Sequence, residues 1–151
     1  MPRGPNVLAV PPKPRQWSFT IGRAIASANA HVVNGNHAAT ASKYRAVRNR
    51  WAADLKIMKR HHAIPDATGQ RLVTITRLMG AGQREFDFDN LVAGCKSLVD
   101  AMKPTATRRG RQVLGSSLLV DDGPAHVTVT YQQERAADGK PGTRIELEDL
   151  P

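Results

Sequence analysis

A chain of 151 residues, 40% of them hydrophobic, carries 22 lysines and arginines against 13 acids, a formal charge of +9. That size suits one domain around one core, and the composition excludes a disordered or fibrous chain. The cationic excess points to a polyanionic partner, nucleic acid first among them, or else to a basic surface kept for solubility or for docking on RNA in a larger assembly.

Cys95 is the single cysteine, so neither an intrachain disulfide nor a cysteine-based zinc site can form within the chain. Its apolar neighbours suit a buried thiol. No apolar run approaches the ~20 residues of a membrane span, and Met1-Pro2-Arg3-Gly4-Pro5 lacks the apolar stretch of a signal peptide. A cytoplasmic protein with no membrane role is expected.

Residues 1–16, rich in proline and scattered basic groups, form an expected extended or flexible N-terminal segment ahead of a domain over 17–151. Trp17-Ser18-Phe19-Thr20-Ile21 alternates large apolar and hydroxyl residues and suits a first strand. Ala24 to His37 shows no periodicity and contains the turn signal Asn34-Gly35-Asn36, so a loop is expected. From about Ala39 to Arg60, Tyr44, Val47, Trp51, Leu55 and Met58 fall at three- and four-residue steps and form one stripe of a helix. Lys43, Arg45, Arg48, Arg50, Lys56 and Lys59 lie mostly off that stripe, as either a solvated basic face or a DNA-facing one. His31, His37, His61 and His62 are scattered through loops and a helix end, which favours surface or capping roles over a transition-metal site.

Arg71 to Leu78 alternates as a strand, and Gly80-Ala81-Gly82 breaks it. A second helix is expected from Asp89 to Met102, followed by a flexible loop from Lys103 to Ser117 carrying Arg108, Arg109 and Arg111. That loop either lies along phosphates or is merely solvated. Strands over Val127–Tyr131 and Thr143–Glu148 close the chain. The fold expected is α+β, a single domain with a mixed sheet of about four strands and two main helices in the order β-α-β-α-β-β.

The segment Phe86-Asp87-Phe88-Asp89-Asn90-Leu91 carries the chemical signal. Two carboxylates one residue apart on an extended entry project to one side, and such like charges repel unless a cation or base neutralises them. Oxygen donors of this kind suit Mg²⁺ or Mn²⁺. Equally, Asp89 suits the N-cap of the following helix, with Asp87 favoured by its dipole. Along that helix Asp89, Lys96, Asp100 and Lys103 share the polar face. Lys96 either reaches towards a phosphate held between the acids or pairs with Asp100 at i, i+4. Leu118-Leu119-Val120-Asp121-Asp122-Gly123-Pro124 then delivers two more acids to a turn, supplying the third carboxylate that a hydrolytic metal site usually needs.

Asp-x-Asp-Asn-Leu, a helix with Lys and Asp four residues apart, and Asp-Asp before a strand together resemble the RusA family, resolvases of four-way DNA junctions carried by phages and prophages. The resemblance covers roughly Arg71 to Glu148, and Ser27-Ala28-Asn29 matches an early Asn-containing loop of the family. It implies an RusA-like fold and a Mg²⁺-dependent endodeoxyribonuclease, with Mn²⁺ able to substitute, acting as a homodimer on branched DNA. By position it makes Asp87, Asp89 and Asp122 the metal-binding catalytic acids and Lys96 the essential lysine, with Asp121 and Asn90 as possible additions. DNA contacts are expected from Arg45, Arg48, Arg108, Arg109 and Arg111. The family's lysine follows the second Asp about one helical turn sooner than Lys96 follows Asp89, which keeps the helix face but changes the reach. A non-catalytic DNA-binding protein and a flap- or single-strand-specific nuclease are the alternatives.

Overall fold

A computed structural model describes residues 4, 13–28 and 35–151. Most of the expected flexible segment at 1–16, together with Asn29 and His31, lies outside the described residues. The elements run β1 (Gln16–Ile21), α1 (His37–His61), β2 (Arg71–Met79), α2 (Phe88–Gly94), α3 (Lys96–Met102), β3 (Ala106–Arg108), β4 (Arg111–Val113), β5 (Val127–Arg135) and β6 (Gly142–Asp149).

The mixed four-stranded sheet has the order β1-β6-β2-β5. β6 runs antiparallel to both neighbours, setting Phe19 and Ile75 opposite Ile145 and Trp17 and Val73 opposite Leu147. β2 and β5 run parallel, with Val73 opposite Val129 and Ile75 opposite Tyr131. A parallel pair needs a long crossover, and here it contains α2, α3 and the β3–β4 hairpin. The helices share one core with a single face of this sheet: Trp51 and Leu55 of α1 and Leu98 and Met102 of α3 are buried in one cluster with Val73, Ile75, Ile145 and Leu147. Alternation leaves Ser18, Thr128, Thr130 and Glu146 exposed on the opposite side.

α1 begins after Asn36, whose side-chain Oδ1 accepts from the Ala39 N–H at 2.9 Å. Three expectations need correction. The helix expected over 89–102 is two helices, giving three among the described residues, with the join at Cys95. The N-cap is Asp87, not Asp89: its Oδ1 accepts from the Asn90 N–H at 2.8 Å, so the helix starts at Phe88. The loop expected over 103–117 contains a hairpin, β3 against β4, closed by Arg109 and Gly110, both at positive φ. That two-residue turn matches the twist of the strands it joins.

Candidate functional site

Three sets of contacts hold the segment bearing Asp87 and Asp89. Gln133 of β5 clamps the Phe86 backbone from both sides: its Oε1 accepts from the Phe86 N–H and its Nε2 donates to the Phe86 carbonyl, each at 2.9 Å. Arg77 of β2 donates to the same Gln133 oxygen and to the Arg84 carbonyl at 3.0 Å, and its guanidinium stacks over the Phe86 ring. Burial lowers the pKa of that guanidinium. From the other side, Asn90 Oδ1 accepts from the Ala28 N–H at 2.9 Å and from Ser27 Oγ at 3.3 Å. Ser27 and Ala28 of the early loop therefore meet the Asp-x-Asp-Asn motif directly.

Gly94 makes that approach sterically possible, since a Cβ there would stand 2.4 Å from the Ala26 carbonyl oxygen. Thr143 and Asp54 anchor the base of the same loop at Arg23: the Thr143 hydroxyl donates to the Arg23 carbonyl, and the Asp54 carboxylate holds the guanidinium.

The segment before Asp121 and Asp122 is fastened in its turn. Arg71, a cation only 1% exposed, pairs with Asp149 at 2.7 Å and donates to the Leu118 and Pro65 carbonyls. The N–H groups of Ser116 and Leu119 donate to Ala101 and Met102 at the end of α3. At Gly115 a Cβ would collide with the Lys103 carbonyl oxygen, so the hairpin base closes only on a glycine. The two aspartates emerge exposed beside Lys103. The Asp122 N–H donates to Asp121 Oδ1 at 2.8 Å, and that backbone hydrogen bond, with a side-chain one from Asp122, holds the Asp121 carboxyl below the usual carboxylate range.

Among the described residues the acids do not converge on one point. No group of three or more His, Cys, Asp or Glu side chains is gathered closely enough to hold a metal ion. Asp87 and Asp89 are exposed at the start of α2, and the Asp89 carboxylate has no partner among the described residues. Asp122 instead joins a chain of ionic contacts. Lys103 Nζ lies 3.3 Å from Asp122 Oδ2 and 3.6 Å from Asp100 Oδ1, and Lys96 Nζ lies 3.4 Å from Asp100 Oδ2. Tyr44 of α1 donates its hydroxyl to that same Asp100 oxygen. Burial first, then the Asp100 hydrogen bond, raises the Tyr44 pKa well above its ordinary value.

Lys96 thus takes the i, i+4 pairing, and the break at Cys95 means that a straight-helix rise does not measure its distance from Asp89. Asp100, Lys103 and Tyr44 were not singled out by sequence as site residues. The spacing of Lys96, Asp100 and Lys103 on one face was a signal for the first two contacts. Tyr44, 56 positions from Asp100, gave none.

The five arginines do converge. Arg45 and Arg48 from α1 and Arg108, Arg109 and Arg111 from the hairpin line one open groove of about 580 Å³, with Asn49, Gln112 and Val113. Arg48 and Arg108 also line an adjoining pocket walled by Asp100, Lys103 and Asp121. Arg48 Nε is buried and has no hydrogen-bond acceptor among the described residues. Among the described residues, His37 and His61 stand at the two ends of α1, and His62 stacks on Phe19.

No family model matches the chain, and neither curated proteins nor solved structures give a match. Among the described residues no helix is long and apolar enough to cross a membrane.

Proposed function

We propose that the chain is a structure-specific, metal-dependent endodeoxyribonuclease of the RusA type, cutting four-way DNA junctions as a homodimer in the cytoplasm of a bacterial or phage-infected cell. One observation carries this reading: a groove lined by five arginines adjoins the pocket walled by Asp100, Lys103 and Asp121. Phosphates held along α1 and the hairpin would bring the DNA backbone up to the acids. A junction has its own two-fold axis, so paired incisions suit a symmetric dimer.

The donor chemistry fits a hard divalent cation. Asp87, Asp89 and Asp122 are exposed carboxylates, and that of Asp89 has no partner among the described residues. As the structure stands the three are not gathered closely enough to share an ion, so the reading requires Asp122 to be drawn towards Asp87 and Asp89. Mg²⁺ or Mn²⁺ held there would supply an activated water and offset charge on the departing oxygen. Asp87 also keeps α2 anchored through its cap, which fixes the direction in which Asp89 leaves the helix. Lys96, exposed on α3, offers a cation to the phosphate. The arginines supply position and affinity rather than chemistry.

A second reading, a DNA-binding protein whose acids only cap a helix and pair with lysines, draws on the dispersed carboxylates and on the Lys103–Asp122 pair. Incubating the protein with Mg²⁺ and end-labelled four-way junction, flap, single-stranded and linear duplex DNA separates the readings. Cutting of the junction alone is expected. Cutting confined to flaps or single strands would replace the substrate, and binding with no cutting of any of the four would favour the second reading.

A further inference from the structure

Behind the exposed acids lies a layer of contacts that links the basic helix to the lysines. α1 packs against α3, and at that contact Tyr44 donates its hydroxyl to Asp100. The Asp100 side chain is only 15% exposed, whereas that of Lys96 is 68% exposed. A carboxylate so withdrawn from water needs partners on both oxygens. Oδ2 takes Tyr44 and Lys96, and Oδ1 takes Lys103. The phenol is the one uncharged partner and the one mounted on a separate element, so it fixes the carboxylate while both lysines answer to where the carboxylate points.

We infer that Tyr44 is a positioning residue of the candidate site: its hydroxyl fixes the Asp100 carboxylate, and Asp100 in turn directs Lys96 and holds Lys103 beside Asp122. The kinetic part of this inference rests on the nuclease reading; the placement of the lysines does not. Tyr44 immediately precedes Arg45 and stands one turn before Arg48, so the residues that line the groove and the residue that fixes the lysines share one stretch of helix. The alternative is a plain tie between α1 and α3, whose loss would lower stability and leave the lysines where they are.

Tyr44→Phe keeps the ring and removes only the donor, and Asp100→Asn keeps the shape and removes the charge. The first readout is amine acetylation of the full chain followed by mass spectrometry, with exposed Lys56 as internal standard. Lys103, 21% exposed and held between two carboxylates, should label several-fold faster in both variants. The second is the single-turnover rate on a four-way junction in Mg²⁺ beside the dissociation constant measured without metal. Tyr44→Phe should slow cleavage about tenfold and leave binding within about twofold, as loss of a supporting hydrogen bond behind reacting groups does. The double variant should be no slower than Asp100→Asn alone. Unchanged Lys103 labelling in both variants would overturn the inference, as would faster labelling with an unaltered cleavage rate. Should the wild type cut no DNA, the nuclease reading falls, while the labelling still decides whether Tyr44 and Asp100 hold the lysines.

Discussion

Replacing Arg108 and Arg111 together by alanine tests the groove as a phosphate-binding surface. The two residues face each other across the hairpin, where like charges directly opposite destabilise a pair of strands. Their loss should therefore leave the melting temperature unchanged or slightly raised. If each of the five groove arginines neutralises one phosphate, the logarithm of the association constant falls against the logarithm of salt with a slope of about −4.5. Affinity then drops about 500-fold between roughly 50 and 200 mM salt. With three arginines left the slope becomes about −2.7 and the drop about 40-fold. Fluorescence anisotropy of a labelled junction over a KCl series measures both slopes. An unchanged slope in a folded double variant would refute the placement of DNA in this groove.

Arg109 occupies a left-handed turn position, at a φ of 49°, that asparagine tolerates better. Arg109→Asn should stabilise the chain by a few tenths to about 1 kcal/mol in denaturant titration while weakening junction binding, two effects of opposite sign from one change. Gly94→Ala forces a methyl against the Ala26 carbonyl and should cost about 1–3 kcal/mol, with slower cleavage as the Ala28–Asn90 contact loosens. Burial pushes the Cys95 thiol up to about 12. An unfolded thiol ionises near its ordinary value of 9.0 while the folded one stays protonated, so this contribution to stability is present below about pH 9 and is lost as pH rises towards 12. Denaturant titrations from neutral to alkaline pH, with Cys95→Ala as the control, check that sign, and a thiol reagent at pH 8 should label Cys95 only when the chain opens.

Where hydrophobic periodicity ran unbroken, the sequence was legible. The stripe Val47, Trp51, Leu55 and Met58 became α1, and the alternation in Arg71–Leu78 became β2 at the centre of the sheet. The end of β5 was not legible, because Gln132 to Arg135 are polar side chains on an edge strand with no apolar face to declare. The hairpin was missed for a related reason: β3 and β4 are mostly exposed and carry arginine where a tight turn would usually show asparagine or glycine. The break at Cys95 follows one residue behind Gly94, and no local pattern announces that the Ala26 backbone and the Ile25 side chain need that space.

The acids and arginines of the candidate site were visible as residue types in order. Their supports were not, since Gln133 and Arg77 behind Phe86, Arg71 behind Leu118 and Tyr44 behind Asp100 all act across long sequence separations. Nor did the order of the aspartates along the chain reveal that Asp122 pairs with Lys103 rather than meeting Asp87 and Asp89.

The most direct test of the central claim is cleavage of an end-labelled four-way junction by wild type and by Asp89→Asn, each in Mg²⁺ and in EDTA. The account predicts paired cuts by the wild type in Mg²⁺ alone, and none by Asp89→Asn although it binds the junction as tightly. Equal cutting by the two proteins, or cutting that persists in EDTA, would contradict it.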